Sequence, residues 1–564
     1  MYKEICVNTH RLGVMPTRIV VLVLLVVYSA LFLNSYLVHF SEVSYPLFDD
    51  GMITLEYAKN FAREGNLTVG GGDAWTAGFT SWAWMLLLSL LSLVPVSDLH
   101  LPMLVPFFNF AILVIALWVV SRISRDLIGR QAPQVYWFLV LTAPSILFWT
   151  LRGMEVPLAL LAVALLCDST ISLSKHGPVT KRPIAVFLIM SACIPFVRPE
   201  LAAPLVACAS YLYLRGDKDR KLIAGLAILV LAVGFFAYVQ LNLMAFNQQA
   251  TNSFFLKISG VSLNQKLERG VSSIGMQLKH NWIYVVASIS ALIWVVEANR
   301  KHHRSSGLKP PSIYWFFREN NAASVIAVVI CTIVASWILV GGDAWEELPV
   351  LNRFIVVCVP LVSLMAAAGV ANSSPPTRRP LVLVTFAFVA LNVFFSIQNI
   401  GLGAFNDRKF SYIGYTLGEK FGNTVKAMHY WYGQPSYFSS VNGGVSIDAL
   451  GKIDSVVSQS PPMLSFKPGH DRWNHAHSIG ILKPDIIVNM PCPSPHDLKF
   501  DCSKVWDEIT GKFGYKPHTA PNGEVTLFVS PRRPDLDAPI EQLEHDLVGF
   551  TQEKAKAKFW LSWY

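Results

Sequence analysis

Blocks of apolar residues alternate with short polar loops along residues 1–399 of this chain. A helix needs roughly 20 predominantly apolar residues to cross a bilayer, and most of these blocks approach that length. The pattern therefore predicts an α-helical polytopic membrane protein. The predicted spans are 18–40, 102–121, 134–150, 155–173, 183–197, 200–214, 221–243, 282–298, 322–340, 354–371 and 380–398.

The composition agrees with this prediction, because the 564-residue chain is 53% hydrophobic and only 15% charged. Soluble proteins carry about 25% charged residues. Many of the basic residues behind the net charge of +9 sit in short loops on one side of the predicted spans. That distribution indicates membrane topology. Because no basic stripe alternates with aromatic residues, as single-strand binding requires, we expect no nucleic-acid partner.

The segment 79–94 decides which side of the membrane each loop faces. If it crosses, the later basic clusters lie outside, but its tryptophans Trp82 and Trp84 favour a helix that stays at the interface. With that choice the clusters lie inside, which gives about eleven spans, a cytoplasmic N-terminus and an outer C-terminal part. The clusters are Arg122/Arg125/Arg130, Lys175/Lys181/Arg182, Arg215/Lys218/Arg220/Lys221, Arg300/Lys301/Arg304 and Arg378/Arg379.

After residue 400 the chain becomes polar and contains no further span. Turn residues bound short β-like runs there, and helical patterns flank them. We expect a transmembrane module at 1–399, with a large first outer loop at 41–101, and a small extracytoplasmic α/β domain at 400–564. The β-like runs and helical patterns occupy 443–448, 484–489, 524–529, 411–427 and 539–558.

Cysteine placement separates two environments. Five of the eight cysteines fall in apolar spans, where they serve as small hydrophobic residues. Cys492 and Cys502 are the two in the C-terminal part. If that part lies outside the cytoplasm, these two are expected to form a disulfide.

Asp49 and Asp50 follow the first span and begin a helical pattern that ends near Gly65. One acidic residue at a helix start is explained by capping. Two adjacent carboxylates close to lipid are costly, which points to chemistry at the membrane surface. A carboxylate can take the proton of an acceptor hydroxyl during glycosyl transfer. The pair is therefore the candidate catalytic site.

A lipid-phosphate leaving group is an anion and needs positive charge to stabilise it. Basic residues at the outer ends of spans could supply that charge. The alternatives are headgroup contact at a span end and, where a glutamate is close in sequence, a structural ion pair. The candidate phosphate ligands are Lys257, Arg152, Arg198 and Arg353.

Several stretches resemble bacterial GT-C glycosyltransferases that use polyprenyl-phosphate sugars: those between residues 49 and 81, with the glycine-rich stretch 70–72, resemble their first outer loop, and 448–454 and 483–485 resemble their C-terminal domain. The resemblance is greatest to the mycobacterial terminal arabinofuranosyltransferase and to the related type IV pilin arabinosyltransferase. It extends over most of the chain. The stretches are Asp49-Asp50-Gly51-Met52-Ile53, Tyr57-Ala58-Lys59-Asn60, Gly78-Phe79-Thr80-Ser81, Arg152-Gly153-Met154-Glu155, Arg198-Pro199-Glu200, 252–257, Gly341-Gly342-Asp343, Arg353-Phe354, 448–454 and Lys483-Pro484-Asp485.

The resemblance implies a GT-C-A fold in a bacterial inner membrane, with two juxtamembrane helices in the first outer loop. It also implies that Asp49 or Asp50 is catalytic and that the donor is a polyprenyl-phosphate D-arabinofuranose. Two departures affect the sugar pocket: Asp73-Ala74-Trp75 stands where many relatives carry an acidic residue before Gly-Tyr-Thr, and the proline usual before Asn252 is absent. The residues expected to bind substrate are Glu155, Glu200, Asp343, Tyr57 and Trp82.

The acceptor is left open between a cell-wall or surface glycan and a pilin protein, as is a mannose or other hexose donor. No cofactor is required, although a divalent cation could be accommodated. His470, His475 and His477 lack the accompanying ligands of a metal motif. A lipid or sugar transporter would carry its charges inside the spans, and a non-catalytic scaffold gives no reason for the aspartate pair.

Overall fold

The computed structural model of this chain describes the residues listed at the end of this paragraph, together with four isolated positions. The predicted spans 282–298 and 380–398, and most of 18–40, lie outside these residues. So does the predicted boundary between residues 399 and 400. The described ranges are 47–72, 75–128, 143–175, 177–280, 321–344, 350–372, 404–463, 466–488, 502–519 and 525–545.

Helices make up the described chain before residue 400, as the apolar blocks predict. Short 3₁₀ segments at Leu101–Leu104, Pro199–Leu201 and Val356–Cys358 join some of them. The helices are α1 (Asp49–Glu64), α2 (Trp82–Leu91), α3 (Val105–Ile128), α4 (Pro144–Leu151), α5 (Val156–Ser174), α6 (Lys181–Val197), α7 (Ala202–Arg215), α8 (Lys218–Phe246), α9 (Asn252–Ile258), α10 (Leu263–His280), α11 (Asn321–Val340) and α12 (Val359–Asn372).

Four helical segments within the described ranges are long and apolar enough to cross a membrane. They are Leu101–Leu127, α5, α8 and α11. Chain chemistry fixes several ends: proline stands in the first turn of α5, and the Asp217 carboxylate accepts the Arg220 amide at the start of α8. The remaining predicted spans are not established by these helices, so the number eleven stays a prediction.

The membrane helices pack around a shared apolar core drawn mainly from α3, α5, α6, α7, α11 and α12. Many of the buried positions are alanine, and Gly234 in α8 packs against the backbone of Ala192 in α6. Small residues allow such close approach, which is how helices associate where burial from water gives little driving force.

Helix α2 does not cross the membrane, because its ten residues extend only about 15 Å. Its tryptophans do not face lipid headgroups, however. Trp82 donates to Asn242 at 2.9 Å, and Trp84 donates to the Gly153 carbonyl at 3.2 Å, so both indoles are buried against the bundle. Leucines occupy the exposed face of α2 instead.

A five-stranded mixed sheet lies in the C-terminal part, in the order β2-β1-β3-β5-β4. β1 pairs in parallel with β2 and β3, whereas β5 is antiparallel to β3 and β4. The predicted runs near 443–448, 484–489 and 524–529 are strands, but β1 and β4 were not predicted. The elements are α13 (Ala404–Phe421), β1 (Lys426–His429), α14 (Gly433–Ser440), β2 (Val445–Asp448), α15 (Ser455–Ser458), β3 (Ile486–Val488), α16 (Cys502–Trp506), β4 (Lys516–Thr519) and β5 (Val525–Val529).

The sheet buries both faces at its centre, since alternate residues of β1, β3 and β5 belong to two different apolar clusters. The helix predicted near 411–427 begins earlier and gives way to a 3₁₀ turn, Gly422–Thr424, before β1. Residues 537–545 are helical, and the rest of the pattern predicted at 539–558 lies outside the described chain.

Residues after β1 and within β2 contact residues 49–70, which belong to the predicted first outer loop. The Gly433 amide, just after β1, donates to the Asp49 carboxylate at 2.7 Å. The Ser446 amide donates to the Gly70 carbonyl at 2.8 Å, which joins β2 to the glycine-rich stretch after α1. Cys502 is disulfide-bonded, whereas Cys492 lies outside the described residues, so their pairing stays a prediction.

Candidate functional site

Asp49 is a buried anchor at the start of α1, with only 3% of its surface exposed. Its Oδ1 atom accepts the Gly433 amide at 2.7 Å, and its Oδ2 atom lies 2.6 Å from the Nζ atom of Lys452. A Cβ at position 433 would clash with the Asp49 backbone, so only glycine permits this approach. Both oxygens of this carboxylate therefore bind partners from the C-terminal part.

Asp50 has a different environment, although it is the next residue. Its Oδ1 atom accepts from Lys452 Nζ at 2.9 Å, its Oδ2 atom accepts from Arg353 Nη1 at 2.7 Å, and 28% of its side chain is exposed. Burial raises the pKa of this carboxyl, but the charges of Lys452, Arg353 and Lys257 outweigh that effect and hold the pKa well below its usual range.

The start of α1 is fixed by the turn that precedes α5. Phe48, the extended residue before the helix, donates its amide to the Arg152 carbonyl at 3.0 Å. A Cβ at Gly51 would lie 3.0 Å from the same carbonyl, so a small residue allows this packing. Neither aspartate acts as the N-cap residue, since both lie within the first turn. The helix N-terminus nevertheless stabilises their negative charge.

Asp343 shares Arg353 with Asp50. Arg353 Nε donates to Asp343 Oδ2 at 3.0 Å, and Lys257 Nζ lies 3.5 Å from Asp343 Oδ1. Burial raises the pKa of Asp343, but the charges of Arg353 and Lys257 outweigh that effect and hold the pKa well below its usual range. Gly341 adopts a positive φ of 92°, which forms the turn that brings Asp343 back to the site.

Three of the four predicted phosphate ligands surround one aromatic ring. The cationic groups of Arg198, Lys257 and Arg353 lie 4.7, 4.8 and 5.7 Å from the centroid of the Phe354 ring. The ring face attracts cations and holds these groups near one another. The structure therefore brings together residues from three separate predicted outer loops.

Arg198 also has the structural partners that its sequence neighbours suggested. It lies 2.8 Å from Glu155 Oε1 and 3.4 Å from Glu200 Oε1, and its Nη1 atom donates to the Arg353 carbonyl at 3.1 Å. Glu155 and Glu200, predicted to bind substrate, are thus in contact with a predicted phosphate ligand.

Arg152, Tyr57 and Trp82 are placed differently. The Arg152 guanidinium lies 5.2 Å from the centroid of the Phe148 ring. Tyr57 and Trp82 are buried, Tyr57 hydrogen-bonds Thr76 at 2.5 Å, and both pack edge-on against Phe79. Burial gives these two aromatic residues a packing role, and their predicted contacts with substrate stay predictions.

Lys452 is the site residue that sequence reasoning missed, although the stretch 448–454 was part of the resemblance. It lies in a tight turn after β2, where Asp448 accepts the Leu450 and Ile453 amides at 2.9 and 2.6 Å. Gly451 supplies a positive φ of 79° in that turn. The available signal was a lysine between turn-forming residues, and nothing in the sequence pointed it towards residues 49 and 50.

The histidines of the 470–477 stretch have separate partners. His475 joins Tyr430 and Glu508 at 2.6 and 2.7 Å, whereas His477 lies 2.9 Å from Asp454. In the part of the chain that the structure describes, no group of three or more histidine, cysteine or acidic side chains is arranged to hold a metal ion.

No family model and no curated protein matches this chain. Solved structures do. ArnT from Cupriavidus metallidurans in the apo state is similar with a TM-score of 0.51 at 11% identity, over 89% of this chain and 97% of that one. The apo oligosaccharyltransferase of Archaeoglobus fulgidus is similar with a TM-score of 0.52 at 11% identity, over 91% of this chain and 75% of that one.

The same archaeal enzyme tethered with an acceptor peptide gives a TM-score of 0.50 at 12% identity, over 89% of this chain and 74% of that one. These neighbours are GT-C glycosyltransferases. The chain has the GT-C fold. At such low identity the likeness establishes the fold, and the chemistry is argued from the residues of the site.

In this GT-C fold the site joins two chemical capabilities. Asp50 offers a partly exposed carboxylate that stays ionised. Arg353 binds this carboxylate and also belongs to the group of cations around Phe354. A base beside an anion-stabilising group is the combination that transfer from a phosphate-linked donor requires.

Proposed function

We propose that this protein is a membrane glycosyltransferase that transfers a sugar from a polyprenyl-phosphate donor to an extracytoplasmic acceptor. The observation that carries the proposal is the position of Asp50, whose Oδ2 atom lies 2.7 Å from Arg353 in the group of cations around Phe354. The GT-C fold supports it, because the solved neighbours with this fold are glycosyltransferases.

Asp50 acts as the general base. It takes the proton of the acceptor hydroxyl while the acceptor oxygen bonds to the anomeric carbon and the bond from that carbon to the phosphate oxygen breaks. The polyprenyl phosphate leaves as an anion. A carboxylate whose pKa is held low is a weak base, so the cations that hold it low must change partners when the donor binds.

The donor phosphate supplies that change of partner. Arg353 and Lys257 both contact Asp343 and both lower the pKa of Asp50. A phosphate bound by these groups and by Arg198 neutralises them, so Asp50 becomes more basic in the complex than in the free enzyme. Donor binding thereby activates the base.

The sugar that we propose is D-arabinofuranose, and the support for it is the resemblance of residues 49–60 and 78–81 to the arabinofuranosyltransferases. The C-terminal part selects the acceptor, which is a cell-envelope glycan or a pilin protein. We place the enzyme in the bacterial plasma membrane with the sheet outside, because that orientation puts the basic loops inside. The reaction requires no cofactor.

The test uses purified protein in detergent with synthetic polyprenyl-phosphate arabinofuranose and polyprenyl-phosphate mannose as alternative donors. The acceptors are an arabinan fragment and a pilin peptide. Mass spectrometry of the acceptor should show the addition of one pentose from the first donor. Addition of a hexose instead would replace the proposed sugar. Folded protein that turns over neither donor, with either acceptor or with water, would refute the proposed function.

A further inference from the structure

Lys452 links the two aspartates through one ammonium group. Its Nζ atom lies 2.6 Å from Asp49 Oδ2 and 2.9 Å from Asp50 Oδ1. The side chain is buried, and the two carboxylates raise the pKa of Lys452 above its usual value even though burial lowers it. The lysine is therefore charged at neutral pH and bound to both acids.

The turn that carries Lys452 is held in place from several directions. Asp448 accepts two amides within it, and Asp454 accepts the Val456 and Val457 amides at the start of α15. The Lys452 carbonyl accepts from Asn252 Nδ2 at 3.4 Å, at the start of the helix that also carries Lys257. The backbone that carries Lys452 is therefore bound both to the turn after β2 and to the helix that carries Lys257.

We propose that Lys452 is a positioning residue that gives the two aspartates different roles. It fixes Asp49 as an anchor between Lys452 and the Gly433 amide, and it holds Oδ1 of Asp50 so that Oδ2 faces the reacting groups. This inference rests on the proposed function, in which Asp50 is the base. When Arg353 turns to the donor phosphate, Oδ2 is the atom that becomes available to the acceptor hydroxyl.

Residues from the first outer loop and from the C-terminal part together form the proposed active site. Asp50 belongs to the first outer loop, whereas Lys452 follows β2, so neither part completes the site alone. Loops at the carboxyl ends of parallel strands are where α/β sheets commonly bind their ligands. Here the loops after β1 and β2 deliver Gly433 and Lys452 to the aspartate pair.

The charged groups around Asp50 determine what the loss of Lys452 does to its titration. The positive neighbours are Lys452, Arg353 and Lys257, and the negative ones are Asp49 and Asp343, with His470 also close enough to interact. Removing a positive neighbour raises the pKa of Asp50. Protonation would then switch off the base at a higher pH than in the wild type.

The experiment measures transfer rate against pH for wild type, Lys452→Met, Lys452→Gln and Lys452→Arg. The control is Lys426→Met, an exposed lysine on β1 of the same sheet. For the Met and Gln variants we expect kcat to fall at least tenfold and the acid limb of the pH–rate profile to move up by about one unit or more. Lys452→Arg should restore the wild-type acid limb, and donor KM should change less than twofold.

A double-mutant test separates positioning from general structural damage. In an Asp50→Asn background, Lys452→Met should cause no further loss of the residual rate, because the lysine acts through Asp50. An acid limb that stays at its wild-type pH in the active Met or Gln variant would overturn the inference. Absence of turnover by wild type would instead refute the proposed function. If neither neutral variant folds, failure of Lys452→Arg to keep the wild-type acid limb would overturn the inference.

Discussion

Nη1 of Arg353 lies 2.7 Å from Oδ2 of Asp50, across 303 residues of sequence. The same guanidinium donates through Nε to Asp343, so one side chain holds the proposed base and a fully buried acid together. Arginine can do this because its donors form a rigid planar fork, which also matches the oxygens of a phosphate. In the proposed mechanism, a phosphate oxygen replaces Asp50 on that fork, which would couple donor binding to catalysis.

Replacement of Arg353 by lysine should separate these two contacts. A lysine ammonium is more compact and lacks the planar fork whose Nε and Nη1 atoms reach Asp343 and Asp50 in two different directions. We expect Arg353→Lys to raise the donor KM roughly tenfold, in line with the loss of a charge-assisted hydrogen bond. Initial rates against donor concentration provide the measurement. Arg125→Lys, at an exposed position on α3, is the control, and equal donor KM values for the two variants would contradict the assignment.

The buried Asp49 should contribute more to stability than an exposed aspartate elsewhere in the chain. Removal of one partner of a buried ion pair costs roughly 3 kcal/mol, and Asp49 also accepts the Gly433 amide. Asp49→Ala should therefore lower the thermal unfolding midpoint in detergent. Asp219→Ala, an exposed aspartate in the first turn of α8, should leave that midpoint near the wild-type value. A similar midpoint for both variants would show that Asp49 is not an anchor.

His429 should make the protein less stable in acid. It is buried on β1, neither ring nitrogen has a hydrogen-bond partner in the described chain, and burial lowers its pKa to about 3. The unfolded chain binds this proton near pH 6.5, whereas the folded protein does not until about pH 3. The free energy of unfolding therefore falls as the pH drops through that interval.

His429→Leu removes this proton-binding group, so the free energy of unfolding should depend less on pH. The variant should lose roughly 2 kcal/mol less stability than wild type between pH 8 and pH 5. Chemical unfolding at the two pH values measures the difference. His470, whose pKa burial and Lys452 also lower, is common to both proteins, so the comparison isolates residue 429. Parallel losses in wild type and variant would contradict the prediction.

The partner of Cys502 is expected to be Cys492. Cys502 is disulfide-bonded, and the five cysteines in the described helices before residue 400 are free. Proteolysis without reductant, followed by mass spectrometry, should yield one linked peptide that contains both residues and separates on reduction. A peptide linking Cys502 to Cys6 would overturn both the pairing and the expected topology.

The helical character of the described chain before residue 400 was predictable, because the length of an apolar block is a local property of the sequence. The short helix α2 was expected not to cross, and its length agrees with that. The prediction rested on tryptophans at the membrane interface, whereas Trp82 and Trp84 hydrogen-bond Asn242 and Gly153 inside the bundle. Which way a tryptophan faces depends on helices distant in sequence, and apolar periodicity does not encode that.

The site was predictable only in part. Asp49 and Asp50 could be proposed from the cost of charge near lipid. Lys257, Arg198 and Arg353 could be proposed from the positive charge that a phosphate leaving group needs. Lys452 could not, because 402 residues separate it from Asp50 and it lies in a region that otherwise reads as a polar turn. The unequal burial of two adjacent aspartates likewise follows from tertiary contacts with the C-terminal part.

The most direct test of the account is single-turnover transfer by wild type and Asp50→Asn, with the donor that wild type uses. Asp219→Asn serves as the control variant. The account predicts that Asp50→Asn stays folded and binds donor but transfers sugar roughly 10²–10⁴-fold more slowly, the usual contribution of a general base. A folded Asp50→Asn protein that transfers sugar at the wild-type rate would contradict it.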